Sequence, residues 1–168
     1  MAMSSTANIH KHLIRCVGAM EKLFSEGYLE GAITLWYAYV DHMAWLSTSA
    51  DDVTPKDFKD WVTSYILPAG RVNCDADDLW AARNGLLHMG NAEARDVKSG
   101  KACSIYYYSG QATPDPTAIG TAKLVNVKEL IFSFMEGSLD FVESLRNDPA
   151  QLAVANEKAK KMLRYIPQ

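Results

Sequence analysis

Residues 28–47 read Tyr28-Leu29-Glu30-Gly31-Ala32-Ile33-Thr34-Leu35-Trp36-Tyr37-Ala38-Tyr39-Val40-Asp41-His42-Met43-Ala44-Trp45-Leu46-Ser47. Placed on a helix, Ile33, Leu35, Trp36, Tyr39, Val40, Met43 and Leu46 leave almost no face polar. A helix that is apolar nearly all round has to be covered on most sides, so this segment is the expected central helix of a bundle. Asp41 and His42 stand out in it, because an ionisable group is costly to bury without a partner.

The flanking sequence supplies the covering helices. Ile9, Leu13, Val17, Met20 and Phe24 recur at helical spacing over residues 7–26, and Gly27 stops that run. Residues 1–6 are small and polar and are expected to be disordered. Thr54-Pro55 reads as N-cap and first helical residue of a third helix, with Phe58, Trp61, Val62, Tyr65 and Ile66 as its stripe and Pro68-Ala69-Gly70 as its end. A fourth helix is expected from Asp75 to Met89, opened by acidic Asp75, Asp77 and Asp78 and closed by Gly90. Asn126 caps a fifth to about Arg146, and Asp148-Pro149 opens a sixth, whose Lys158, Lys160, Lys161 and Arg164 read as a solvated face.

Residues 90–125 break the helical pattern with Gly100, Gly110, Gly120, Pro114 and Pro116. Ser104-Ile105-Tyr106-Tyr107-Tyr108 has strand composition, and Lys123-Leu124-Val125 is its expected partner across the Pro-Asp-Pro turn. The expected fold is therefore mainly α: one domain over residues 7–168, a helical bundle of about five or six helices with a small β-hairpin insertion.

Composition narrows the function. The chain has 168 residues, a net charge of -3 and a pI of about 5.8, whereas proteins that hold nucleic acid by bulk charge are usually basic. Any RNA contact must then be local. Cys16, Cys74 and Cys103 are far apart with no C-x-x-C, which fits reduced thiols better than a disulfide frame or zinc site. His10 and His12 fall about 200° apart on a helix and make a poor chelating pair. No metal and no cofactor are expected. The sequence contains no Gly-rich phosphate loop, G-x-S-x-G or H-E-x-x-H. No apolar leader or bilayer-length stretch is present, so the expected compartment is the cytoplasm.

One segment carries chemistry: Arg83-Asn84-Gly85-Leu86-Leu87-His88. It joins an always-charged phosphate binder, an amide and a group that exchanges protons near neutral pH, the parts needed to cleave RNA without a metal. On an ideal helix Asn84 and His88 point the same way, Arg83 lies about 140° from His88, and Leu79, Ala82 and Leu86 face the core. Asn84, His88 and Trp80 would form an exposed stripe with Arg83 at its edge. Two such helices packed antiparallel would bring two Arg and two His into one cleft. The plainer reading pairs Arg83 with an acidic residue of another helix and leaves His88 complementing the helix dipole. Asp41 is expected to support the site from behind, and His42 to be a core histidine bonded to a backbone carbonyl. Arg95, Lys98 and Lys101 follow as an RNA-binding lip or as solvated loop charges. Tyr106, Tyr107 and Tyr108 are read as packing a hairpin onto the bundle, with base stacking as the alternative.

The segment Asp78-Leu79-Trp80-Ala81-Ala82-Arg83-Asn84-Gly85-Leu86-Leu87-His88 resembles the signature helix of the HEPN superfamily, in which a polar residue follows the Arg and a His comes four to six residues after it. Asp57-Phe58-Lys59-Asp60-Trp61-Val62 before it, and Lys98-Ser99-Gly100-Lys101-Ala102 with Ile105-Tyr106-Tyr107 after it, are similar to a branch of small bacterial HEPN-like proteins. The likeness spans most of residues 28–108. It implies a helical bundle, a homodimer through the motif helix, and metal-independent endoribonuclease activity leaving a 2′,3′-cyclic phosphate. By the same resemblance His88 is the general base or acid, Arg83 holds the scissile phosphate and Asn84 orients one of them. It also implies a toxin or defence role, with an antitoxin or regulatory protein as partner. One departure is Gly90, which stands where antitoxin-modified members carry a Tyr. Some members of the superfamily bind without cleaving, so a non-catalytic RNA- or protein-binding or dimerisation module is the alternative.

Overall fold

Seven α-helices and one pair of short strands form the described part of the computed structural model, residues 6–89 and 95–162 without the side chains of His88, Met89 and Ala118. In chain order they are α1 (Ala7–Ser25), α2 (Leu29–Ser47), α3 (Pro55–Trp61), α4 (Ala76–Asn84), α5 (Arg95–Lys98), β1 (Ile105–Tyr108), β2 (Lys123–Asn126), α6 (Val127–Asn147) and α7 (Pro149–Ala159). The expected disordered terminus lies outside the described residues except for Thr6, whose carbonyl accepts from the amide of His10.

The apolar sequence of α2 does what it implies. α2 touches α1, α3, α6 and α7, and Trp36, Tyr37, Val40, Met43, Ala44 and Leu46 are all fully buried. A buried indole N–H left without a partner is costly. Trp36 Nε1 donates to the Leu130 carbonyl of α6 at 2.6 Å. Trp61, Phe58, Phe134 and Phe141 complete the aromatic part of one continuous core.

Helix starts follow the side-chain chemistry. Thr54 and Asp57 form a reciprocal capping box, as do Asp75 and Asp78. Asn126 accepts from the amides of Lys128 and Glu129, and Asp148 from those of Ala150 and Gln151. Each cap satisfies amides that the helix leaves unpaired and stabilises by about 1 kcal/mol.

Helix ends depart from the simple reading. After Trp61 the chain widens into a π-turn over Val62–Ile66, closed by Leu67 N–H to the Val62 carbonyl, then tightens into a 3-10 turn at Leu67–Ala69. Gly70 ends it at φ 65°, a left-handed conformation that glycine adopts at no steric cost. The π-turn brings Tyr65 against α6, where a Cβ on Gly137 would lie 2.2 Å from the Tyr65 carbonyl oxygen.

The β element corrects the hairpin expectation. β1 and β2 pair in parallel, with Ile105 opposite Lys123 and Tyr108 opposite Asn126. Parallel pairing needs a connection long enough to return the chain to the starting end, and residues 109–122 supply it. The reason for this direction lies at Asn126, which ends β2 and caps α6. Its Oδ1 holds the first amides of α6 while its Nδ2 donates to the Gly110 carbonyl at 2.9 Å, tying the loop after β1 to the start of α6.

α7 brings a second correction. Lys158 is buried, and its ammonium donates to the carbonyls of Trp45, Thr48 and Ala50 at 2.8, 2.6 and 2.6 Å. It also stands 4.9 Å above the Trp45 ring. The end of α2 leaves carbonyls that need donors, and a cation there also complements the helix dipole. Burial lowers the pKa of Lys158 from its ordinary value. Lys160 and Lys161 are exposed as expected, and Arg164 lies outside the described residues.

Candidate active site

α4 is fixed before it reaches the motif. Asp78 is 2 % exposed, and its carboxylate accepts from the Asp75 amide that caps the helix and from the Cys103 amide at 2.6 Å. That second bond pins the start of α4 to the segment entering β1. β1 is tied in turn to α2 by a bond of 2.5 Å between the hydroxyls of Tyr107 and Tyr37. Leu79 and Ala81 are buried, and Trp80 packs 5.3 Å from Phe58 of α3.

These anchors place Arg83 opposite Asp41. Arg83 Nε and Nη2 both donate to Asp41 Oδ2, at 3.0 and 2.6 Å, and Nη1 donates to Asn84 Oδ1 at 3.0 Å. The guanidinium carbon lies 5.0 Å from the Trp80 ring centre, within cation–π range. The Arg83 and Asp41 side chains are 17 % and 18 % exposed. Water therefore screens this pair much less than a surface pair. Asp41 Oδ1 is buried with no hydrogen-bond partner among the described residues.

The exposed stripe expected on α4 is not what forms. Arg83, Asn84 and Trp80 are half-buried and joined to one another. The ideal wheel fails because α-helical winding stops at Asn84 and a π-turn runs over Gly85–Met89. In a π-turn the bond closes five residues along, so residue i+5 takes roughly the place that i+4 has in an α-helix. The angle of about 140° between Arg83 and His88 on an ideal α-helix therefore does not apply to this segment. The His88 side chain, like Gly90, lies outside the described residues. Ala82 and Leu86, expected to face the core, are half-buried.

Asp41 does stand behind α4 and meets Arg83, as a carboxylate in an apolar helix requires. Arg95 and Lys98 lie on α5, which packs beside α4, and these two with Lys101 are exposed. Tyr106 is exposed, whereas Tyr107 packs into the bundle.

His42 corrects another expectation. It makes no hydrogen bond to a backbone carbonyl among the described residues, and its Nδ1 is buried without a partner. Its ring lies 5.5 Å from His12 and 5.7 Å from Tyr39. Burial, with help from His42 and Arg15, lowers the His12 pKa to about 4. Burial likewise lowers that of His42, with Asp41 opposing. His12 Nε2 lies 3.2 Å from Cys16 Sγ, and burial pushes that thiol up to about 12. Cys16, Cys74 and Cys103 are all free thiols.

The anchoring roles of Asp78 and Lys158 were not read from the sequence. Asp78 looked like part of a run favouring a helix N-terminus, and Lys158 like one of four basic residues on a solvated helix.

Comparison with protein-family models, with curated proteins and with solved structures gives no match. No helix among the described residues is long and apolar enough to cross a membrane.

Proposed function

We propose that this chain is a metal-independent endoribonuclease of the HEPN type. The observation that carries the reading is the held guanidinium of Arg83, fixed by Asp41 and Asn84 over Trp80 at the point where α4 unwinds toward His88. A cation held in place before substrate arrives stabilises developing charge without reorganising.

In this reading His88 takes the proton of a ribose 2′-OH. The 2′ oxygen then forms a bond to phosphorus as the bond to the 5′ oxygen breaks. The leaving 5′ oxygen takes up a proton, and the products are a 2′,3′-cyclic phosphate and a 5′-OH. Arg83 offsets charge on the phosphorane and Asn84 keeps the guanidinium in place. Arg95, Lys98 and Lys101 guide the RNA backbone locally, which suits a chain whose overall charge is negative. A homodimer through the motif helix, a cytoplasmic toxin or defence role and a regulatory partner belong to the same proposal by analogy with the superfamily.

A specific observation favours a second reading. Asp41 already occupies two of the Arg83 donors, as it would in a purely structural ion pair. The same helix would then serve a non-catalytic RNA- or protein-binding module. Incubation of purified wild type, Arg83→Ala and His88→Ala with structured RNAs in EDTA separates the two. Cleavage by wild type alone, with cyclic-phosphate ends, supports the ribonuclease. No cleavage, or equal cleavage by all three, refutes it and leaves the binding module.

A further inference from the structure

The two-stranded sheet leaves one edge of β1 without a partner. The Lys123 amide donates to the Ser104 carbonyl at 2.8 Å. With Ile105 opposite Lys123, that bond fixes how each residue of β1 faces. Ser104, Tyr106 and Tyr108 turn their N–H and C=O groups toward β2, and Ile105 and Tyr107 turn theirs away. Among the described residues, no hydrogen bond reaches the amides or carbonyls of Ile105 and Tyr107 on that free edge. Exposed strand edges are commonly guarded by a lysine, a proline or a bulge. Residues 103–109, Cys-Ser-Ile-Tyr-Tyr-Tyr-Ser, carry no charge and no proline, and β1 pairs with β2 in unbroken register.

A groove of about 860 Å³ runs along this edge. Ile105, Tyr106 and Tyr107 all line it, and no residue of β2 does. Successive strand residues send their side chains to opposite faces, so a groove that touches three in a row lies beside the strand and not on one face. Its other wall is the end of α1 and the start of α2, with Leu23, Tyr28, Leu29 and Ile33. Tyr28 is 66 % exposed and Tyr106 53 %, so two large rings that the fold leaves uncovered rim the groove. Glu30 is the one charged residue in the lining.

We infer that the free edge of β1 takes up an extended segment of another polypeptide as a third strand, with alternate apolar side chains directed into the groove. The backbone selects this class of partner. The free groups come as amide and carbonyl pairs two residues, about 6.6 Å, apart, which is the repeat of a β-strand. The lining selects the side chains: apolar ones toward Leu23, Leu29 and Ile33, and a Lys or Arg, not an acid, near Glu30. β1 of a second copy fits less well. Its Ile105 and Tyr107 are already packed against its own core, so it would pair with the edge and leave the groove unfilled.

The test titrates acetylated and amidated peptides Lys-X-Thr-X-Thr-X-Lys, with Val, Leu or Phe at X, into the full-length protein, read by ¹H–¹⁵N NMR and amide exchange. In the free protein the amides of Ile105 and Tyr107 are expected to exchange quickly and that of Tyr106, bonded to β2, slowly. Bound peptide is expected to slow Ile105 and Tyr107 and to change Tyr106 far less. The tightest peptide is then remade with two N-methyl groups, both on odd or both on even residues. Only one set blocks the amides that face β1, so one is expected to bind about 25-fold more weakly, about fivefold for each hydrogen bond lost, and the other nearly as before. Tyr28→Ala and Tyr106→Ala, at exposed positions, are each expected to weaken binding about threefold, the scale of about 25–30 Å² of ring surface newly buried, with unchanged melting curves. Equal effects of the two methylated sets, or no shift with any peptide at about 1 mM, overturn the proposal. So does slow exchange at Ile105 and Tyr107 in a free protein that sediments as a monomer, because the edge is then already closed. Protection that grows with protein concentration, in step with a dimer on sedimentation, also overturns it and gives the edge to a second copy.

Discussion

Replacing Asp41 with Asn tests whether α2 holds the motif arginine. Asn keeps the shape of Asp but removes the charge and puts an amide N–H₂ or a weaker acceptor opposite Arg83. Two bonds, of 3.0 and 2.6 Å, converge on one oxygen of Asp41. An exposed pair of this kind contributes about 0–1 kcal/mol, whereas breaking a fully buried one costs about 3–5 kcal/mol. At 17 % and 18 % side-chain exposure the pair lies nearer the buried limit, so Asp41→Asn should cost about 2–3 kcal/mol. Arg83→Met keeps an unbranched stem on Trp80 and removes the charge, at a similar cost. The assay is urea unfolding of wild type, both single variants and the double variant. Residues in direct contact are expected to couple, and the double variant should fall short of the sum of the singles by about 1.5–2.5 kcal/mol. A coupling below about 0.5 kcal/mol would show that Asp41 does not hold Arg83 and would remove the observation on which the proposed activity rests.

Three other outcomes follow from the packing and the ionisable groups. Gly137→Ala should destabilise by about 2 kcal/mol or more in thermal melts, because the gain in helix propensity of about 1 kcal/mol is outweighed by a clash with backbone that cannot rotate away; unchanged stability would mean that α6 and the π-turn are not in close contact. Lys158→Met should cost about 2–3 kcal/mol by denaturant titration, since it leaves three carbonyls without their shared donor, whereas Lys160→Met, at an exposed position, should be close to neutral. The folded pKa of His12, depressed to about 4 from 6.5, favours the neutral ring in the folded state. Its contribution is therefore complete above pH 6.5 and lost as the pH falls toward 4. The shift at face value corresponds to about 3 kcal/mol, and solvent screening of this partly exposed ring reduces it to about 1–2 kcal/mol. His12→Gln should flatten the dependence between pH 6.5 and 4.5, and a variant with the wild-type slope would contradict it.

Much of the fold was legible because its signals are local. The caps at Thr54, Asp75, Asn126 and Asp148 need only a side chain and the next few amides, and all four form. The near-uniform apolarity of residues 28–47 marked the central helix for the same reason. Strand direction was not legible, because it depends on where Asn126 must stand to cap α6 and reach Gly110, contacts set by the assembled molecule. Nor were the π-turns, which leave no periodicity of their own over five residues. The site divides in the same way. A carboxylate inside an apolar helix predicts a cationic partner, and Arg83 is that partner. Lys158 gave no such warning, because a lysine on an amphipathic helix looks the same in sequence whether its end meets water or three carbonyls.

The π-turn at Gly85–Met89 has a consequence for counting residues. Distance along the chain between the arginine and the histidine is a poor guide to their separation in space when the winding between them can change. One extra residue accommodated as a π-turn leaves the later residue at nearly the azimuth it would hold, one position earlier, in a regular helix. A motif written with a variable gap can therefore describe a single spatial arrangement. Deleting Leu87 is, on this view, a milder change than its position suggests, because the turn can regularise to α-helical winding.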